Sequence, residues 1–314
     1  MSWRITLLHL VGLAAILHAE VRITPSETDR AIATFNTPHC VYPLPAGATN
    51  DRHELLLWIP GTQPPGKENP GPGAAGRFCE VATTLGYRAI VLKYPNDESA
   101  AVVRSDRDAD AFEKFRMTII AGGKSPHLEV PRAESIENRL VKLLAYLRTH
   151  RPTEGWEQFL TASGDIRWEA IALAGQSQGG GHAALLGITH RVARVICFGA
   201  PKDNSLAFGK PAAWLRAEPL TPRGRFFALN HQQDHQGCSP AEQMENLRAL
   251  KLDTLGAPVA VDAELPPYHH SHILTTNYPG GKVASKEAHT TAISPRNEAV
   301  FGPTWIYLLT EKVP

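Results

Sequence analysis

Short apolar runs separated by longer amphipathic stretches organise this chain. Each run is nearly continuous in Val, Ile, Leu, Phe and Ala and ends at Gly, Pro or a polar residue, which is typical of buried strands. Strands are predicted at residues 55–59, 88–92, 170–174, 192–198, 226–229 and 273–278. The segments 63–76 and 201–222 are rich in breakers and are predicted to be irregular.

The stretches between these runs have helical periodicity. The clearest helix is 135–147, where one face carries Ile136, Leu140, Leu143, Leu144 and Leu147. Further helices are predicted at 74–85, from residue 178 to about 186, at 241–252 and at 305–309. Strands that alternate with helices predict an α/β fold with a mostly parallel, doubly wound sheet and helices on both faces.

The chain shows neither an internal repeat nor a second domain boundary, so residues 20–314 are expected to form a single domain. The longest connection, 96–132, carries many charges. Within it Phe112, Phe115 and Ile119 have near-helical spacing, which predicts a helix lying on the body. This connection is a candidate cap or rim insertion.

Residues 1–19 resemble a secretory signal peptide. Arg4 supplies the positive region, residues 5–17 are apolar without formal charge, and Ala19 is a small residue at a cleavage point. The run is too short for a comfortable membrane span, and no later segment reaches spanning length. We therefore expect a secreted or periplasmic, soluble mature protein; a buried N-terminal helix is the alternative.

The charge balance and the cysteine content bear on the binding partners and on possible disulfides. Of 314 residues, 32 are Lys or Arg and 31 are Asp or Glu, so nothing indicates nucleic acid or an anionic membrane as the main partner. In an oxidising compartment four cysteines permit two disulfides. We favour Cys40–Cys79, because Cys40 precedes the first firm strand and Cys79 lies in the next helix. Cys197 and Cys238 form the second candidate pair, with a free buried Cys197 as the alternative.

The chemistry centres on residues 171–182, Ile-Ala-Leu-Ala-Gly-Gln-Ser-Gln-Gly-Gly-Gly-His. An apolar strand enters Gly-x-Ser-x-Gly and a helix-compatible run follows, which is the pattern of a nucleophile elbow. Gly175 and Gly179 are expected because side chains there would collide with neighbouring backbone. Ser177 is then the candidate nucleophile at the N-terminus of a helix.

A serine nucleophile needs a base and a carboxylate that orients the base. Asp234 follows the strand 226–229 and is the preferred acid, while Asp203, after the preceding strand, is the alternative. His289, expected on the loop before the closing helix, is the preferred base. These groups are predicted to meet because functional groups of open α/β sheets gather at the carboxyl ends of the strands.

Other histidines are weaker candidates. His269, His270 and His272 come at or before the last predicted strand, on the wrong side of it for catalysis. His231 and His235 have the i, i+4 spacing of half a metal site, but the glutamate of a zinc protease motif is absent. No metal site is therefore predicted.

An oxyanion hole requires two backbone N–H donors. One is expected from Gln178, directly after the nucleophile. The other is expected from the loop Pro60-Gly61-Thr62, with Thr62 preferred and Gly61 as the fallback; a proline-rich turn without a role is the alternative.

Together the elbow, this loop and the order Ser177, Asp234, His289 resemble the α/β-hydrolase superfamily over roughly residues 50–314. The run Ser-Gln-Gly-Gly-Gly-His-Ala-Ala from Ser177, with Ser-Ile-Glu-Asn-Arg-Leu from Ser135, is similar to a secreted bacterial branch that often has His in place of Gln176. The resemblance implies a serine hydrolase that cleaves carboxylic esters, small or polymeric, through an acyl-enzyme, without a metal or organic cofactor. Amide hydrolysis, acyl transfer and ligand binding without turnover are the alternatives that the residues leave open.

Overall fold

A computed structural model describes residues 20–64, 66 and 69–313. The predicted signal peptide, residues 1–19, lies outside the described residues, so export stays a prediction. The strands of the described part are β1 Val21–Ile23, β2 His39–Tyr42, β3 Leu55–Ile59, β4 Arg88–Val91, β5 Gly123–Lys124, β6 Glu129–Val130, β7 Ile171–Gln176, β8 Arg194–Phe198, β9 Asn204–Ser205, β10 Lys210–Pro211, β11 Phe226–His231, β12 Val259–Ala260 and β13 Ile273–Thr276.

The α-helices follow most of the core strands. They are α1 Pro25–Thr28, α2 Ala75–Thr84, α3 Ala111–Ala121, α4 Ile136–His150, α5 Gln178–Thr189, α6 Pro240–Ala249, α7 Ser285–Thr291 and α8 Glu298–Thr310. Nine strands form the main sheet in the order β1-β2-β4-β3-β7-β8-β11-β13-β12. The β1–β2 and β2–β4 pairs are antiparallel and every other pair in this sheet is parallel.

Two apolar layers cover the sheet, one on each face. Along β3 the side chains alternate: Leu55, Leu57 and Ile59 pack with α3, α4 and α5, whereas Leu56 and Trp58 pack with α2 and α8. The predicted α/β class, with a mostly parallel sheet and helices on both faces, is confirmed. The connection 96–132 contains α3, as its periodicity predicted.

The six strands predicted from apolar runs are all present, within a few residues of their predicted ends. Strands β1, β2 and β12 were not predicted, because they are only two to four residues long and, in β1 and β2, polar residues such as Arg22 and His39 interrupt the apolar run. The segment 201–222 is largely irregular, as expected, but contains the small β9–β10 hairpin. His289 is not on a loop: it lies in α7, one short helix before the closing α8.

The disulfide prediction is wrong. Cys40, Cys79, Cys197 and Cys238 are all free, buried thiols. Cys40 and Cys79 belong to the same apolar layer, where each packs as a small hydrophobic side chain. Cys197 donates to the carbonyl oxygen of Gly180 at 3.4 Å. Burial raises the pKa of the Cys40 thiol to about 12, so it is held in its unreactive protonated form.

Within the described ranges, none of the helices has both the length and the apolar character needed to cross a bilayer.

Candidate active site

Ser177 lies between β7 and α5 in a strained backbone conformation. Its φ is 56° and its ψ is −123°, a region that residues other than glycine rarely adopt. The backbone N–H of Ser177 donates to the carbonyl oxygen of Phe198 at 2.9 Å, which ties the turn to the end of β8. Strain of this kind persists where the surrounding structure holds it, and it is common at active sites.

The glycines of the motif allow this turn to form. A Cβ atom on Gly179 would lie 1.9 Å from the carbonyl oxygen of Ile59, and one on Gly175 would lie 2.5 Å from the carbonyl carbon of Gly179. Both contacts are with backbone, which cannot move aside. The elbow geometry expected from the sequence is therefore present.

Asp234 and His289 form a hydrogen-bonded pair at the carboxyl edge of the sheet. Asp234 lies three residues beyond β11, and its Oδ2 atom is 2.8 Å from Nδ1 of His289. This carboxylate places the imidazole proton on Nδ1, so Nε2 is left as the hydrogen-bond acceptor. Gly199, at the end of β8, lets the pair fit, since a Cβ there would lie 3.1 Å from Oδ2 of Asp234.

The same carboxylate oxygen also accepts from a lysine. Nζ of Lys202 is 2.8 Å from Oδ2 of Asp234 and 2.5 Å from the carbonyl oxygen of Gln236. Burial acts to raise the pKa of Asp234, but the hydrogen bond from His289 and the charge of Lys202 outweigh it, and the pKa is lowered. Asp234 is thus held ionised beside the ring.

Asp203, the alternative acid, is turned to other partners. Its carboxylate accepts from Nε of Arg116 at 2.7 Å and from the indole N–H of Trp214 at 2.8 Å. The Arg116 guanidinium also donates to the carbonyl oxygen of Gln178 at 2.9 Å. Asp234, and not Asp203, is therefore the carboxylate that contacts His289. Asp203 instead pairs with Arg116, which contacts the start of α5.

The predicted oxyanion loop packs on the elbow. A Cβ on Gly61 would lie 3.2 Å from Cβ of Ser177. Among the described residues, no backbone acceptor takes the N–H of Thr62 or that of Gln178, which is the first residue of α5. Asn96 holds the loop by donating to the carbonyl oxygen of Gly61 at 2.6 Å.

One cavity joins these groups. It has a volume of about 270 Å³, and Ser177, His289, Gln178 and Thr62 all lie in its wall. Ser177 and His289 thus line a common space, and the serine hydroxyl makes no hydrogen bond to any described side chain.

The two glutamines that flank Ser177 hydrogen-bond to the segments around it. Gln176 donates from Nε2 to the backbone carbonyl of His289 at 2.8 Å, which joins β7 to α7, the helix that carries the imidazole. Gln178 accepts from the N–H of Ala100 at 2.7 Å and donates to the carbonyl oxygen of Glu98 at 2.9 Å. Its side chain therefore holds the short 3₁₀ helix Ala100–Val103 at the cavity wall.

The other histidines weighed from the sequence lie away from Ser177. His231 is satisfied by the Tyr278 carbonyl and the Gln233 N–H, whereas His269 and His270 contact Glu264 and Glu311. His272 bonds the carbonyl oxygen of Phe226 and stacks on Phe227, and the N–H of His235 donates to Ser285. None of these five lines the cavity that holds Ser177.

The sequence did not indicate that Lys202 and Arg116 contact site residues, nor that Gln176 contacts the helix of His289. Lys202 stands next to Asp203 after β8, and its position beyond a strand end was the available signal. Arg116 lies in α3, 61 residues before Ser177, and no local pattern connects the two.

Comparisons with known proteins return solved structures only. No protein-family model matches the chain, and no curated protein matches it either. An α/β hydrolase, MGS-M1 from a Medee basin deep-sea metagenome library, is 13% identical, with 93% of this chain and 98% of that one covered and a TM-score of 0.46.

Two further similar structures are esterases. A bacterial heroin esterase is 18% identical, with 93% and 84% of the two chains covered and a TM-score of 0.43. Esterase B from Lactobacillus rhamnosis is 14% identical, with 92% and 87% covered and a TM-score of 0.46. The strand order, the elbow at Ser177 and the helices on both faces are this chain's own features, and they give it the α/β-hydrolase fold.

Proposed function

We propose that this protein is a serine hydrolase that cleaves carboxylic esters, with Ser177 as nucleophile, His289 as general base and acid, and Asp234 as the carboxylate that orients His289. One observation carries the proposal. A serine on a strained strand-to-helix turn shares a cavity with an imidazole whose Nδ1 is hydrogen-bonded to a buried carboxylate. This is the arrangement that serine hydrolases need, whatever the order of the residues in the chain.

The reaction follows from the roles of these atoms. The Ser177 oxygen attacks the acyl carbon while Nε2 of His289 takes the hydroxyl proton. The carbonyl oxygen gains negative charge, and the N–H groups of Gln178 and Thr62 donate to it. The tetrahedral adduct then collapses, the alcohol leaves with the proton from His289, and an acyl-serine remains. Water, deprotonated by the same nitrogen, releases the acid and restores Ser177.

Surrounding groups support these roles. The ionised Asp234 stabilises the imidazolium that forms when His289 takes the proton. The helix α5 begins directly after Ser177, so its unpaired N–H groups favour negative charge at this point. Loss of one oxyanion donor typically lowers kcat by about a hundred- to thousandfold.

A series of 4-nitrophenyl esters of increasing acyl length tests the proposal. The protein should release nitrophenolate, and Ser177→Ala should lose essentially all of that activity while keeping the wild-type circular dichroism spectrum. Ser205→Ala is a matched control, because Ser205 lies in β9 and does not line the cavity. Equal hydrolysis by the wild type and Ser177→Ala would refute the assignment.

We also propose that the protein is exported and that residues 1–19 are removed. The support is the charge and hydropathy pattern of the N-terminal sequence. N-terminal sequencing of the protein recovered from the medium or periplasm should begin at residue 20. An intact Met1 on protein retained in the cytoplasm would refute this proposal.

A further inference from the structure

The cavity beside Ser177 has an uneven charge distribution. Four of its lining residues carry formal charges: Arg104, Arg116 and Lys202 are positive and Asp203 is negative. Arg116 and Asp203 pair with each other and are almost fully buried. Two cations, Arg104 and Lys202, therefore remain in the wall, in a molecule whose overall net charge is only +1.

The carboxylates that balance these two cations do not line the cavity. Arg104 pairs with Glu242, and Lys202 pairs with Asp234, and neither acid belongs to the cavity wall. The cationic member of each pair therefore belongs to the cavity wall, whereas the acidic member does not. In a wall with little access to water, such fixed charges act more strongly than they do in bulk solvent.

The ammonium group of Lys202 has more N–H donors than the described residues offer acceptors. An ammonium group carries three N–H donors, and the two acceptors that the described residues offer are Oδ2 of Asp234 and the carbonyl oxygen of Gln236. The side chain is 11% exposed. Burial lowers its pKa and the Asp234 carboxylate opposes that change. The third N–H has no acceptor among the described residues, and Lys202 is part of the cavity wall.

Lys202 also lies next to the reacting groups. Its ammonium and Nδ1 of His289 both reach Oδ2 of Asp234, so a single carboxylate oxygen separates the cation from the imidazole. A positive charge there disfavours the imidazolium that forms during ester cleavage. An anion bound to Lys202 would offset that charge at the moment when the imidazolium forms.

Resting on the proposed function, we propose that the preferred substrates are esters that carry a carboxylate, which Lys202 binds through its third N–H. The wall also contains the apolar side chains of Ala100, Ala101 and Phe112, which a short chain between the ester and the carboxylate would contact. Lys202 is on this account a specificity-determining residue. Arg104 adds positive charge and, through its hydrogen bond to the Gly237 carbonyl, holds the segment next to Gln236.

Matched pairs of esters test this inference. Mono-4-nitrophenyl glutarate and 4-nitrophenyl valerate have acyl chains of equal length that differ in a carboxylate. The second pair, 4-carboxyphenyl acetate and its 4-methoxycarbonyl analogue, carries the difference on the leaving group. With rates normalised to uncatalysed hydrolysis, kcat/KM should favour the anionic member of at least one pair by roughly tenfold or more, as a charge-assisted hydrogen bond allows.

The Lys202→Met variant identifies the residue responsible. The ratio of anionic to neutral kcat/KM should fall by roughly tenfold, because Met keeps the length of the side chain but has no charge. Lys210→Met is the matched control: Lys210 is exposed, lies over the ring of Phe208 and does not line the cavity, so its loss should leave the ratio unchanged. The wild-type preference should also survive at about 0.5 M salt, since buried contacts are screened less than long-range steering is.

A second measurement avoids any folding defect of the variant. With the unmodified protein, glutarate should inhibit hydrolysis of 4-nitrophenyl butyrate at a concentration roughly tenfold lower than the neutral diamide does. Equal cleavage of both members of each pair, an unchanged ratio in Lys202→Met, or equal inhibition by acid and diamide would overturn the inference and leave the proposed function standing. Failure to cleave any ester, together with no fluorophosphonate adduct on Ser177, would overturn both.

Discussion

At the residue scale, the two buried aspartates of the site, Asp203 and Asp234, differ in their hydrogen-bond partners. Asp234 is hydrogen-bonded to His289 and pairs with Lys202, whereas Asp203 accepts from Arg116 and Trp214. Both are fully buried, so burial alone does not distinguish the proposed catalytic acid from a structural ion pair. The identity of the hydrogen-bond partners does.

Substitution by asparagine separates the two roles. Asp234→Asn should lower kcat by about 10⁴, because an amide neither fixes the ring tautomer nor stabilises the imidazolium. Asp203→Asn should instead lower the free energy of unfolding by about 3 kcal/mol or more, since Arg116 is left as an unpaired buried charge. Kinetics and urea unfolding of both variants give the comparison. A larger loss of kcat in Asp203→Asn than in Asp234→Asn would contradict the assignment of the acid.

Gln176 offers a test of positioning. Gln176→Leu removes the hydrogen bond to the His289 carbonyl and keeps a similar side-chain volume. We expect kcat to fall by roughly tenfold with little change in KM, because a displaced imidazole affects proton transfer more than it affects substrate binding. Gln232→Leu, a change away from the cavity, is the control. A change in KM alone would show that Gln176 contacts substrate rather than positioning the base.

At the scale of elements, the turn between β7 and α5 depends on segments that are distant in sequence. The Gln178 side chain holds the 3₁₀ helix Ala100–Val103, and Arg116 of α3 holds the Gln178 carbonyl. A Cβ on Gly181 would lie 2.2 Å from the Arg116 guanidinium, so the third glycine of the run provides room for that contact.

The Gln178→Met variant tests whether this tether shapes the cavity. The change removes both side-chain hydrogen bonds and retains the backbone N–H that is proposed to bind the oxyanion. We expect faster hydrogen exchange at the Ala100 amide and a several-fold higher KM, because the wall segment opens more often. Unchanged exchange and an unchanged KM would show that the segment is held by its other contacts.

These elements also show what the sequence could predict. The core strands and the elbow were predictable, because parallel strands buried on both faces leave continuous apolar runs and because only glycine fits beside the turn at Ser177. The helix around His289 was not, since α7 is seven residues long and has no strong apolar period. The contacts of Lys202 and Arg116 form only when segments distant in sequence fold together, so no local pattern predicts them.

At the scale of the whole molecule, buried carboxylates make stability depend on pH. Glu134, just before α4, accepts from the N–H groups of Ala33 and Thr34 and pairs with the fully buried Arg139. Arg139 in turn donates to the carbonyl oxygens of Thr34, Phe35 and Lys93. This cluster fastens the N-terminal segment to the sheet.

Acid should loosen that cluster. Burial acts to raise the pKa of Glu134, but the two backbone hydrogen bonds and Arg139 outweigh it, so the folded pKa lies below the ordinary value of 4.5. The stabilisation is therefore complete above pH 4.5 and is lost as the pH falls through the lowered folded pKa. Urea midpoints measured from pH 3 to pH 7 should fall steeply at the acid end, and Glu134→Gln should be less stable at pH 7 with a shallower acid slope. An unchanged slope in Glu134→Gln would contradict this account.

The four thiols provide a separate check on the whole fold. Because all four are buried and unpaired, a thiol reagent such as Ellman's should react slowly with the native protein and should find four thiols per chain in denaturant without reductant. A count of two in denaturant would show a disulfide and restore the pairing that the sequence suggested.

The most direct test of the central claim is a fluorophosphonate labelling experiment read by mass spectrometry. The account predicts one adduct, on Ser177, which is absent from Ser177→Ala and forms far more slowly in His289→Gln, because the serine oxygen needs the imidazole to take its proton. A folded protein that takes no adduct, or one whose adduct persists in Ser177→Ala, would contradict it.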